Sequence, residues 1–228
     1  MVDTATFAPP GKDLTAVAEW VAEILRDRII KGQLTSGERI VERKLAIELA
    51  VSRTPIREAL KLLHADRLID ISRNKGAQVT EYTSQQALDL FDVIASLESL
   101  AAERLTATIS NENLDILEDL HAQMLLFKRI GNAENYFDAN SEIHDAILRM
   151  CGNPILSDAH TKLMARARRG RFMAIIDPVR WDESVEEHEQ LMAYLRSRDG
   201  DGARRTWCAH LQNTGRTVAE VLKQAEID

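Results

Sequence analysis

The sequence predicts a mostly α-helical protein in two parts: a small N-terminal unit of three helices and a β-hairpin, then an all-α antiparallel bundle of six or seven helices. Three observations point there. Apolar residues recur at helical spacing along most of the chain. The 228 residues include 10 Gly and 5 Pro, and aromatics make up 5%, too little turn and strand chemistry for a β protein. From Ser84 onward the breaks between periodic stretches are short, and short connections pack successive helices antiparallel.

The elements follow in order. Residues 1–11, "MVDTATFAPPG", have no basic segment ahead of an apolar core, so they read as a flexible tail and not as a secretory signal. Residues 14–31 carry Val17, Trp20, Val21, Ile24, Leu25 and Ile29 on one helical stripe, closed by Gly32. After the loop "GQLTSGER", "IVERKLAIELA" reads as a second, short helix. "SRTPIREALKLLHADRL" reads as a third, with Pro55 in its first turn, where a missing N–H costs nothing. Two β-branched runs, 68–71 and 77–80, flank the turn signal "SRNKG" and read as a hairpin. Helices are then expected at 84–109, 112–130, 133–151, 154–176, 181–198 and 201–225, with breaks at "SNEN", "GN", "CGNP", "DPVRWDES" and "RDGDG". The expected domains are therefore 12–82 and 83–228.

The formal net charge is −7, but it is unevenly placed. Residues 1–82 hold 13 basic and 12 acidic groups, and the remainder holds 16 and 24. Residues 39–75 hold nine basic and five acidic groups, a net of +4. An acidic protein can still bind a polyanion when its basic groups share a face. No apolar run approaches the roughly 20 residues of a membrane span. The two cysteines, Cys151 and Cys208, make no disulfide framework or metal cluster and suit a reducing cytoplasm.

Helix, turn, helix and hairpin in that order make a winged helix-turn-helix, whose second helix enters the DNA major groove. Arg53 and Arg57 lie one turn apart, near the start of that helix. Arginine can fork onto guanine O6 and N7, or onto a phosphate. Arg43 lies within reach in the preceding helix, and the hairpin tip adds Arg73, Asn74 and Lys75. A single arginine among these reads more readily as a solvated surface charge; the set at these spacings reads as a DNA face.

The stretch "GERIVERKLAIELAVSRTPIREALKLLHADRLIDISRNKGAQV" closely resembles the winged helix-turn-helix of the GntR family of bacterial transcription regulators. The resemblance covers 12–82 and implies DNA contacts from Arg43, Arg53 and Arg57, supported by Thr54, Arg73, Asn74 and Lys75. Ala50 departs from it, standing where the family usually has Gly, which suggests a slightly different turn.

In the helical half, "NSEIHDAI" places Asn140 and His144 on one helical face, while His188 and His210 fall on two later helices. Three imidazoles and an amide oxygen converging in a bundle can hold a divalent metal. Spacing alone reads more readily as ordinary surface or core-edge histidines, since there is no H-E-x-x-H and no Cys pair.

"SEIHDAILRMCGNPIL" and "EEHEQLMAYLRSRDGDGARRTWCAHL" resemble the FCD ligand-sensing domain of FadR-type GntR regulators, over roughly 84–225. That resemblance implies a divalent ion, zinc or nickel in the first instance, held by Asn140, His144, His188 and His210. Asn140 replaces the more usual Asp, and an amide is the poorer ligand. Ile94 stands where the family often has Arg. The implied effector is a small carboxylate. Among the arginines of "MARARRGRF", which are Arg166, Arg168, Arg169 and Arg171, Arg166 and Arg169 are the foremost candidates to meet it, a solvated or dimer-facing stripe being the alternative. The expectation is a cytoplasmic homodimeric regulator, a repressor in the first reading. It would bind a near-palindromic operator and be no enzyme. Its rivals are a regulator whose effector is the metal itself and a zinc hydrolase, which would lack an evident nucleophile.

Overall fold

A computed structural model describes residues 13–72 and 76–225. The expected tail (1–11) and the hairpin-tip residues Arg73, Asn74 and Lys75 lie outside the described residues. The chain forms two compact units that divide between Glu81 and Tyr82.

In the first unit α1 (Leu14–Ile30) packs on α3 (Arg53–Ala65), and α2 (Glu42–Glu48) joins them. Val21, Leu25 and Ile29 of α1 and Ile56, Ala59 and Leu63 of α3 are fully buried. These are the i, i+4, i+8 and i, i+3, i+7 positions that bring one stripe to the core. Two expectations need correction. First, the hairpin β2 (Ile69–Ser72) and β3 (Gly76–Val79) is part of a three-stranded sheet of order β1-β3-β2. Strand β1 (Arg39–Ile40) supplies the third member, with Arg39 opposite Gln78 and Ile40 opposite Ala77. Two residues are too few to show a period of two. Second, α2 is shorter than its apolar run and ends in a left-handed residue, Ala50, at φ 52°. The turn is thus the one glycine would make, built with alanine.

The second unit is all helical: α4 (Ser84–Thr108), α5 (Asn111–Arg129), α6 (Ala133–Met150), α7 (Pro154–Ile175), α8 (Pro178–Ser197) and α9 (Gly200–Ala225). α4 and α9 run closely along each other, α5 packs on α6, and α7 meets α4, α6 and α9. Phe91 of α4 explains two glycines. A Cβ on Gly170 of α7 or Gly215 of α9 would come within 2.6 Å of it. α8 begins three residues earlier than its periodicity predicts. Pro178 opens the helix and Asp177 caps it by accepting from the Arg180 amide, so the stretch read as a break is a helix start.

Candidate DNA-binding face and effector site

In the first unit Arg43, Arg53, Thr54 and Arg57 are all exposed. Arg43 and Arg53 line one surface groove, together with Arg39 of β1, Glu42 and Gly76. Arg39 was not distinguished in the sequence, because the strand that carries it was not. Glu42, the first residue of α2, ties the face together. Its Oε2 accepts from Arg53 Nη2 at 2.8 Å and from Arg57 Nε at 3.0 Å. Burial works against its charge, and the hydrogen bonds and charges of these two guanidiniums together outweigh it and lower its carboxyl below the ordinary range. The carboxylate thus holds two flexible arginines side by side at the head of α3.

In the second unit α6, α8 and α9 bring His144, His188 and His210 together, each almost wholly buried. One ring nitrogen of each lies within 4.8 Å of the others. Their tautomers follow from their neighbours, because carboxylate and carbonyl oxygens only accept hydrogen bonds. His144 Nδ1–H donates to Glu98 Oε2 at 2.5 Å, His188 Nδ1–H to the Ser184 carbonyl at 2.7 Å, and His210 Nδ1–H to Glu187 Oε2 at 2.6 Å. Each ring is thereby left with a lone pair on Nε2. Burial is the chief cause that keeps all three imidazoles neutral: it pushes His144 down to about 3, His188 well below its usual value, and His210 below it too.

The three supporting groups differ in origin. Glu98 lies on the apolar stripe of α4, fully buried, and its oxygens accept from His144, from His160 Nε2 at 2.8 Å and from Trp207 Nε1 at 3.2 Å. Burial opposes its charge, and the histidine donors outweigh it and hold the carboxyl well below the ordinary range. Glu187 is held at about 2 in the same way, burial being overcome by His210 and Arg180. Neither acid was singled out in the sequence. Glu98 did leave a signal: a charge at a position where the stripe Phe91, Ile94, Ala95, Ala102, Leu105 calls for an apolar residue.

The donor set fits a divalent cation. His144 Nε2 is buried and makes no hydrogen bond among the described residues. Imidazoles whose far nitrogens are held by carboxylates or a carbonyl are the usual supported metal ligands. Bonds of about 2.0–2.1 Å would draw the rings inward, since two of them span at most about 4.2 Å. Asn140 is also in place, its Nδ2 lying 3.0 Å from His188 Nε2 and donating to that lone pair. A half-turn of the amide presents Oδ1 instead.

The arginines of α7 separate. Arg166 stacks on Tyr82, 5.1 Å from its ring centre, and Arg169 acts on the same phenol. Arg168 pairs with Asp145. Neither Arg166 nor Arg169 lines the cavity beside the histidines; Arg171 does, with Asn140, Arg180, Ser184, His210 and Thr214. Arg180 went unnoticed in the sequence because its segment read as a loop.

Comparison with known proteins agrees with both units. Residues 17–79 match the family model described as bacterial regulatory proteins, gntR family, and residues 89–213 match the FCD domain. The chain belongs to the GntR family. Among its relatives, the HTH-type transcriptional repressor RspR of Escherichia coli K12 is 24% identical over 91% of each chain. The repressor GlaR of the same organism is 27% identical over 88% of this chain and 93% of its own. The gluconate operon transcriptional repressor of Bacillus subtilis is 31% identical over 61% and 60%. The solved structure of E. coli McbR/YncC shares the fold, with a TM-score of 0.78 at 23% identity over 94% of this chain and 99% of that one. This GntR-family chain is a DNA-binding transcription regulator and not an enzyme. No helix among the described residues is long and apolar enough to cross a membrane.

Proposed function

We propose that this chain is a ligand-responsive repressor that works as a homodimer in the cytoplasm. Arg43, Arg53, Thr54 and Arg57 meet the operator from the head of α3, and Arg73, Asn74 and Lys75 follow the adjacent minor groove. Two such heads suit a near-palindrome with half-sites about one helical turn, roughly 34 Å, apart. The effector is a small organic acid taken up by the FCD domain. One observation carries that part of the reading: three neutral imidazoles, tautomers set by Glu98, Ser184 and Glu187, bring ring nitrogens within 4.8 Å of one another inside the bundle, with the Asn140 amide on the Nε2 of His188. His144, His188, His210 and Asn140 would hold a divalent ion, zinc or nickel in the first instance, which when bound supplies a Lewis acid for a carboxylate oxygen. The effector shifts operator binding only by as much as it favours one arrangement of the dimer over another. The same histidines support a second reading, in which the ion is itself the effector.

Gel shifts on an operator selected from random-sequence DNA test both halves. Arg53→Ala and Arg57→Ala are each expected to weaken binding by about tenfold or more with the helical content unchanged. Full affinity in both variants would remove them from the interface. His144→Ala is expected to keep basal operator affinity and to lose the response to zinc and to organic acids. An unaltered response would reduce the bundle to a dimerisation module, and a response to zinc alone would favour the ion as effector.

A further inference from the structure

The surface cleft at the head of α3 holds two cations that the fold leaves free. Arg39 and Arg43 line it with Arg53, Glu42 and Gly76. Glu42, its acid, is filled by Arg53 and Arg57. Arg39 and Arg43 are exposed and make no hydrogen bond or ion pair among the described residues. Strand β1 explains where Arg39 stands. Side chains along a strand alternate in direction. Ile40 is buried opposite Ala77, itself buried, so Arg39 turns outward. In the order β1-β3-β2 the strand lies at the sheet edge, and its partner β3 begins at Gly76, directly after the hairpin tip. Only Val41 separates β1 from Glu42, the start of α2. β1 is thus paired with the wing on one side and joined to the helix-turn-helix on the other. The Arg39 guanidinium keeps to that junction: its Nη2 is 3.8 Å from where a Cβ of Gly76 would stand.

With α3 in the major groove and the hairpin in the adjacent minor groove, one sugar–phosphate strand runs between them. The protein surface between α3 and the wing faces that strand, and the cleft is that surface. A phosphate offers two free oxygens that match the planar fork of a guanidinium. The base edges lie deeper in the major groove, where the head of α3 reaches. We propose that the cleft seats the DNA backbone strand between the two grooves and that Arg39 is a phosphate ligand there, fixing the wing on the duplex without reading sequence, which rests on the reading of α3 and the hairpin as the DNA face.

The test is fluorescence anisotropy of the full chain on the selected operator and on random-sequence duplex, from about 50 to about 200 mM salt. Arg39→Gln keeps most of the stem and removes the charge. It is expected to weaken binding to both DNAs by the same factor, about threefold to tenfold per DNA-binding head, and to lower the slope of log affinity against log salt by about one per head. Arg39→Lys keeps the charge without the fork and is expected to keep the slope and to lose less affinity. A loss confined to the operator with the slope unchanged overturns the phosphate assignment and makes Arg39 a base reader. Full affinity of Arg39→Gln on both DNAs overturns it, as does an equal fall in slope in the two variants. If Arg39→Gln does not fold, ethylation interference on the wild type decides: blocked binding when the phosphates between the two grooves are ethylated supports the seat, and unhindered binding overturns it. Arg53→Ala in the same series keeps the two readings apart. Operator binding weakened by Arg53→Ala and untouched by Arg39→Gln removes Arg39 alone, whereas full affinity in both removes the DNA face with it.

Discussion

At the scale of single residues, Ala50 shows how a family pattern can be kept with the wrong amino acid. Its φ of 52° is the left-handed conformation in which a Cβ crowds the backbone, and glycine adopts it freely. The turn is retained because the Val51 amide donates to the Ala46 carbonyl at 3.1 Å, closing the end of α2. The departure from glycine thus appears as strain in a left-handed turn. Ala50→Gly is expected to stabilise the first unit by about 0.5–1 kcal/mol, relief of strain exceeding the greater freedom of glycine in the unfolded chain. Urea denaturation measures it; a lower midpoint for the glycine variant would mean that the alanine is not strained.

At the scale of elements, the helices that carry the site are set by how closely they can approach. Phe91 of α4 lies between Gly170 of α7 and Gly215 of α9. A Cβ at 215 would sit 2.6 Å from the Phe91 Cβ, which is fixed to its own backbone and cannot swing away. Gly215→Ala gains about 1 kcal/mol of helix propensity but overpacks the contact by about 1–3 kcal/mol. A net loss of roughly 1 kcal/mol is expected, read as a lower denaturation midpoint; a gain would show that α4 and α9 can part without cost. The sequence made these helices legible because their stripes are long. It did not disclose β1, whose two residues carry no period, nor the start of α8, where Asp-Pro serves equally as a loop or as a cap and first turn. That second ambiguity hid Arg180. Asn140 and His144 were legible because they share one helix four residues apart; the acids that orient His144 and His210, Glu98 of α4 and Glu187 of α8, lie on other helices than the rings they hold, and no spacing relates them. Four arginines within residues 166–171 defeat ranking by period, so only packing separates Arg171 from Arg166, Arg168 and Arg169.

At the scale of the whole molecule, electrostatics decides how the protein finds its site. The chain carries −7 overall and would be repelled by DNA at long range, but for the positive excess of residues 39–75. Within that excess Glu42 cancels part of the charge it organises, bonding Arg53 and Arg57 at once. Sequence-independent binding grows with every phosphate neutralised, so on the proposed DNA face a carboxylate beside the two arginines would shorten each stay on arbitrary DNA. Only a site offering base-edge acceptors in the right place makes it worthwhile for the arginines to turn away from it. Glu42→Gln is expected to tighten binding to random DNA severalfold and steepen its salt dependence, while operator affinity changes less. Equal gains on both DNAs would show that Glu42 only dilutes charge. With Arg53 and Arg57 at the operator as proposed, the acid that clamps them would limit the time lost on wrong sequences, and the search along the chromosome would be faster because the protein holds DNA less tightly than its arginines alone would.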